Sequence, residues 1–260
     1  MEANLTVKSL IDENGIATVS LSRINCANAL NSKMAIELRE TFINLSKKAK
    51  VIILTGDGER AFCAGADLKE RQNFTIEEWQ NQHQRFRHAL QAIMTSEVPV
   101  IAAVNGVAYG GGLELALGCD FIYASRKASF AFPEVTLGIM PGMGGTQQLP
   151  RAVGVRRAKE LLLTGRAFCA IEAYNYGIIN QLCEPENLML EATNCAKLIA
   201  QNAPLPVASI KRLLAKTNHQ SIDEGLLNES GAYNSLLGTA DRKEGITAFN
   251  EKRKPVFSGK

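Results

Sequence analysis

Two glutamates, Glu114 and Glu134, lie twenty positions apart in stretches with few polar groups, and each has a glycine-rich segment beside it. Poor solvation favours the neutral form of a carboxyl, so such a pair can divide general-acid and general-base work on a carbon acid. Glu114 belongs to Asn105-Gly106-Val107-Ala108-Tyr109-Gly110-Gly111-Gly112-Leu113-Glu114-Leu115-Ala116-Leu117, where three consecutive glycines expose N–H groups just before a short apolar helix. An amide cluster of this kind stabilises an oxyanion. Glu134 belongs to Phe130-Ala131-Phe132-Pro133-Glu134-Val135, read as a rigid apolar turn with no adjacent cation, and a glycine-rich loop over residues 138–145 follows. A third small-residue segment, residues 60–70, gives a second loop, so that one N–H from each of two loops could grip one oxygen.

Taken singly, each of these residues has a plainer reading. Glu114 could be a first-turn acid favoured by the helix dipole, Glu134 an exposed loop acid, and Asp67 a turn or helix-capping residue. His83, His88 and His219 fall outside every motif and read as helix-surface groups. No G-x-S-x-G, H-E-x-x-H or P-loop string occurs, so metal chemistry and nucleotide hydrolysis are not expected.

The elements that would position these groups alternate. Residues 7–11 and 16–21 flank Asn14-Gly15 and predict a β-hairpin. Asn31 or Ser32 caps a helix carrying Met34, Leu38, Phe42 and Leu45 at helical spacing. Residues 51–56, 98–106 and 120–124 read as buried strands, and Thr75-x-x-Glu78 is a capping box for a helix with Trp79, Phe86, Leu90 and Ile93 on one face. Alternating strands and helices predict an α/β sheet system over the first two thirds. Beyond residue 150 or so the pattern reads as all-α, with Pro204-x-Pro206 as the joint between a core (1–203) and a helical region (204–260).

Composition fits a soluble enzyme. Charged residues make up 21% and apolar residues 46%, which sets aside disorder and coiled coil. The net charge is only +3, and the basic clusters lack the interleaved aromatics that single-stranded nucleic acid would need, so no nucleic-acid partner is expected. The six cysteines include no C-x-x-C pair and are read as reduced thiols. Met1-Glu2-Ala3-Asn4-Leu5 lacks the basic and apolar regions of a signal peptide, and no apolar run is long enough for a membrane span; a cytoplasmic location is expected.

Together these segments resemble the enoyl-CoA hydratase/isomerase (crotonase) superfamily over nearly the whole chain. The residues that carry the likeness are Ala61-Phe62-Cys63-Ala64-Gly65-Ala66-Asp67-Leu68-Lys69, Asn105-Gly106, Gly110-Gly111-Gly112-Leu113-Glu114-Leu115-Ala116, Cys119-Asp120, Phe132-Pro133-Glu134, Leu137-Gly138, Pro141-Gly142 and Gly144-Gly145-Thr146-Gln147, with Glu244-Gly245-Ile246 through Pro255 at the end. The resemblance implies an α/β spiral of ββα units, a C-terminal helical region used in trimer assembly, and a homotrimer or homohexamer. It implies an acyl-CoA thioester substrate, with CoA as part of the substrate and no separate cofactor or metal. By motif position, the N–H groups of Ala66 and Gly111 would form the oxyanion hole. Ala64 and the backbone of Ala66, Asp67, Leu68 and Lys69 would line the adenine and pantetheine path, and Arg60 would stand near the CoA phosphates.

Two glutamates at these positions imply a hydratase that adds water across the 2,3 double bond of a 2-enoyl-CoA, as in fatty acid β-oxidation. In the family mechanism Glu114 acts mainly as base and Glu134 starts protonated and delivers the Cα proton. A Δ3,Δ2-enoyl-CoA isomerase would use a single glutamate, usually the later one, and the presence of Glu114 argues against it. Residues 64–71 also look like the methylglutaconyl-CoA hydratase branch, some members of which bind AU-rich RNA; that branch is the alternative for substrate, and a purely RNA-binding protein is the alternative class. The chain departs from the family pattern twice. The loop Arg23-Ile24-Asn25-Cys26-Ala27-Asn28-Ala29-Leu30 lacks the usual proline, which bears on its rigidity near CoA, and Gln148 replaces a common arginine.

Overall fold

Alternating residues on either side of Asn14-Gly15 form β1 (Val7–Ile11) and β2 (Ile16–Leu21), an antiparallel hairpin with Val7 opposite Leu21. The Asp12 carboxylate accepts from Asn14 N and Ile16 N and so fixes the turn. The computed structural model describes residues 5–260; of the opening segment Met1-Glu2-Ala3-Asn4-Leu5, where no signal peptide is expected, residues 1–4 lie outside the described part. A wide sheet continues from the hairpin through β3 (Val51–Gly56), β5 (Val100–Val104), β7 (Phe121–Ser125) and β10 (Gln181–Cys183), all parallel, in the order β1-β2-β3-β5-β7-β10. A second, smaller sheet runs β4-β6-β8-β9, from β4 (Ala61–Cys63), β6 (Val107–Tyr109), β8 (Ser129–Ala131) and β9 (Phe168–Cys169).

The two sheets are stitched by a repeating step. Each of β3, β5 and β7 is followed within a few residues by its partner in the small sheet, β4, β6 or β8, and then by helix. This is the ββα spiral, and its neighbouring turns stack in parallel register. Residues 98–106, expected as one strand, divide accordingly: β5 ends at Val104, and after Asn105-Gly106 the chain enters the other sheet.

Helices close both faces. Asn31 Oδ1 accepts from Met34 N and starts α1 (Ser32–Leu45), which buries Met34, Ala35, Leu38, Phe42 and Leu45 at helical spacing. After the one-turn α2 (Leu68–Arg71), the Thr75/Glu78 capping box starts α3 (Ile76–Met94), which packs on α1. Next come α4 (Gly111–Leu117), α5 (Gly145–Thr164, bent at Gly154), α6 (Ala170–Asn175) and α7 (Leu188–Ala200). The main core lies between the wide sheet and α1, α3 and α4, whereas α7 covers the sheet's other face, with Ala192 and Ala196 against Val51, Ile53 and Ile101. Full burial of each large apolar side chain contributes roughly 1.5–3 kcal/mol.

The part beyond residue 150 is not all-α, as the pattern had suggested. β9 and β10 return to the two sheets, one antiparallel to β8 and one parallel to β7. Each is only two or three residues long, too short for alternation to register in sequence. The chain ends in α8 (Pro204–Leu214), α9 (Ile222–Leu236) and α10 (Ala240–Asn250). Among the described residues, no helix is long and apolar enough to cross a membrane, and all six cysteines carry free thiols.

Candidate active site

Glu114 is placed by the shortest of turns. Gly110 begins α4 at φ 47°, a conformation that side chains rarely adopt, and a Cβ on Gly112 would run into the Cys63 carbonyl. The glycine run therefore lets α4 start hard against the end of β4, and it buries Glu114 in the helix's first turn at 3% exposure. There Glu114 Oε1 accepts two backbone hydrogen bonds from the glycine-rich loop, 2.7 Å from Met143 N and 2.8 Å from Gly145 N.

Glu134 comes from the opposite direction. Residues 130–135, expected as a turn, are the end of β8 followed by a 3-10 turn over Pro133–Leu137, and this carries the buried Glu134 side chain over Gly110. A Cβ at Gly110 would lie 2.6 Å from Glu134 Oε1, so a side chain there would push the carboxyl from its place. Glu134 Oε2 is buried with no hydrogen-bond partner among the described residues. Burial, with the charge of Glu114 as a lesser contribution, pushes the Glu134 carboxyl up to about 7. Glu114 is also raised by burial, against the lowering effect of its two N–H donors.

The two loops expected to hold an oxyanion adjoin. The position a Gly111 Cβ would occupy is 3.8 Å from Ala66 N, and that of a Gly65 Cβ is 3.8 Å from Gly111 N. Neither Ala66 N nor Gly111 N donates a backbone hydrogen bond among the described residues, although the flanking Leu30 N, Ala64 N and Asp67 N all do. Two unused amides beside two carboxyls can hold an oxygen that gains charge while protons move nearby.

These groups share one cavity of about 720 Å³. Ala64, Ala66, Leu68, Gly111, Glu114 and Glu134 line it; Arg60, Asp67 and Lys69 do not. Asp67 caps α2 through Lys69 N and Glu70 N and pairs with Arg23 at 2.9 Å. The loop without its proline is pinned by polar contacts instead: Asn28 Nδ2 donates to Asp57 O and Ala61 O, Asn28 Oδ1 accepts from Arg23 N, and Arg23 reaches Ala29 O. Gln148 lies outside this cavity and touches Met94 Sδ.

Three wall residues come from α3. Trp79 and Phe86 line the cavity, whereas Tyr109 does not and its hydroxyl bonds Ser129 Oγ. His83 is a correction: expected on a helix surface, it lines the cavity, and its Nε2–H donates to Gly142 O at 2.7 Å. Gly142 precedes Met143, a donor to Glu114, so His83 fastens the loop that holds the carboxylate. Only the helical phase it shares with Trp79 and Phe86 could have pointed to it in sequence.

The family model described as enoyl-CoA hydratase/isomerase matches residues 12–260. A crotonyl-CoA hydratase of Syntrophomonas wolfei is 40% identical over 95% of this chain and 96% of that protein, and a short-chain-enoyl-CoA hydratase of Clostridium acetobutylicum is 40% identical over 98% and 97%. The crystal structure of an enoyl-CoA hydratase from Bacillus anthracis superposes with a TM-score of 0.96 at 40% identity, covering 98% of this chain and all of that one.

Proposed function

We propose that this chain, which belongs to the enoyl-CoA hydratase/isomerase family, is a hydratase that converts a 2-enoyl-CoA to the 3-hydroxyacyl-CoA. The observation that carries this reading is the unequal environment of two carboxyls facing one cavity, with a pair of unused amides beside them. Glu114, held by two N–H donors, serves as the carboxylate base: it takes a proton from water as the oxygen bonds to Cβ. Electrons from the double bond move to the thioester oxygen, where the N–H groups of Ala66 and Gly111 stabilise the enolate. Each such donor is worth about 3 kcal/mol in the transition state. Glu134, neutral up to about pH 7, gives its proton to Cα as the carbonyl re-forms. The pair then hands the proton back from Glu114 to Glu134, directly or through solvent, before the next turnover.

CoA enters as part of the substrate, its pantetheine arm running past Ala64, Ala66 and Leu68, with Arg60, Asp67 and Lys69 outside the cavity on the side of the nucleotide. Fatty acid β-oxidation is the role proposed for this reaction, and the free thiols suit the cytoplasm. Residues 1–203 form the catalytic core and 204–260 the assembly region. In support, Ile222, Leu227, Tyr233 and Phe249 on α9 and α10 are exposed, apolar side chains that a homotrimer or a pair of trimers would cover. The decisive assay is hydration of crotonyl-CoA by the purified protein, followed by loss of the conjugated-thioester absorbance and gain of one water in mass; unchanged crotonyl-CoA would refute the reading.

A further inference from the structure

Met143 reaches the site with both its backbone and its side chain, and the hydration steps use only the backbone. Its N–H donates to Glu114 Oε1 at 2.7 Å. Its side chain is buried, at 4% exposure, and lines the cavity. In sequence it stands between Pro141-Gly142 and Gly144-Gly145, the pairs that carry this loop's likeness to the family, and is not itself part of that likeness.

The thioether lies against the oxyanion amides. A Cβ on Gly111 would meet Met143 Sδ at 3.6 Å and Ala66 N at 3.8 Å; apart from the glycine's chain neighbours and the backbone of α4, no other heavy atom comes within 4 Å of that point among the described residues. Sulfur and amide therefore flank one side of the Gly111 α-carbon. A thioether is apolar, polarizable and a poor acceptor, so it neither competes for the N–H groups nor brings water to them. Fixed donors act most strongly on a developing oxyanion where water is excluded, because water must reorient as the charge grows and the amides need not. Shortening Met143 would open room beside Gly111 for a water molecule, whose share of liquid volume is about 30 Å³. The amides and the thioester oxygen would give that water the polar partners an apolar hole lacks.

We propose that Met143 is a positioning residue of the oxyanion site: its side chain walls the Ala66 and Gly111 amides from water, so that the thioester oxygen meets fixed donors alone. The inference rests on the hydratase reading and adds a side chain to its site. The rival is that Met143 only fills space under the 138–145 loop and steadies Glu114.

The two accounts part on carbonyl polarisation. The probe is a 4-(dimethylamino)cinnamoyl-CoA ester, whose absorption moves to the red as its carbonyl gains negative charge. It is bound to wild type, Met143→Ala, Met143→Val, Met143→Leu and His83→Ala, with kcat for crotonyl-CoA measured alongside. Wild type should shift the band to the red. Met143→Ala should lose about half of that shift or more and about 10-fold in kcat, Met143→Val should lose less of both, and Met143→Leu, apolar and of similar volume, should keep most of each. His83→Ala loosens the same loop through Gly142 O and removes nothing beside the amides, so it should lower kcat yet leave most of the shift. Thermal melts confirm that each protein is folded, and Met143→Val carries the comparison should the alanine variant not fold. A full shift in the truncated variants, or an equal loss in His83→Ala, overturns the proposal. Crotonyl-CoA hydrated under that result leaves the hydratase reading standing; a wild type that neither shifts the band nor hydrates crotonyl-CoA takes both down.

Discussion

Glu114 and Glu134 face one cavity but do not share its polar groups: Met143 N and Gly145 N both point at Glu114, and Glu134 Oε2 has no hydrogen-bond partner among the described residues. The asymmetry gives two chemically identical side chains different resting states, one suited to accept a proton and the other to give one.

A pH dependence follows. Glu134 must carry its proton to reach Cα, so kcat/KM for hydration should fall as pH rises through about 7. The linkage sign is opposite to that of a salt-bridged acid: the folded pKa lies above the ordinary glutamate value of 4.5, so the folded state holds more protons between 4.5 and about 7, and stability declines with rising pH across that window. Glu134→Gln should remove the part of the decline that Glu134 causes and be more stable than wild type at pH 8, by about 1–3 kcal/mol. Urea melts at pH 5 and pH 8 provide the check.

His83 should matter without touching the reacting atoms. His83→Ala frees the Gly142 carbonyl and loosens the loop that aims two N–H groups at Glu114. Expected are a stability loss of about 1 kcal/mol and a fall in kcat of about 10-fold with little change in KM. His83→Gln, which can still donate to that carbonyl, should restore much of the rate; steady-state kinetics on both variants decide it.

Gly110→Ala tests the seat of Glu134. The added Cβ would stand 2.6 Å from Glu134 Oε1, on a backbone at φ 47°. A stability cost of about 1–3 kcal/mol and at least a 10-fold loss of kcat/KM are expected. Wild-type activity in a folded Gly110→Ala protein would show that the carboxyl does not need this space.

Much of this was legible in the chain. Local signals carried the hairpin, the Asn31 cap, the Thr75/Glu78 box and the buried strands, because each is set by residues within a few positions. The small sheet was not legible. β4, β8 and β9 are two or three residues long and exist because the wide sheet's strands step sideways into them, a tertiary effect with no local period. The glutamates and the two amide loops stood out through glycine runs that only close backbone approach requires. His83 did not, since a cavity-facing polar residue on a helix looks like a solvent-facing one until the helix is docked.

The most direct measurement is single-turnover hydration of crotonyl-CoA in ¹⁸O-labelled water by wild type, Glu114→Gln and Glu134→Gln, each shown by calorimetry to bind a CoA ester. Wild type should place one labelled oxygen on Cβ, and each variant should bind yet react about 10² to 10⁴ times more slowly. Turnover near the wild-type rate in either variant would contradict a division of acid and base between these two side chains.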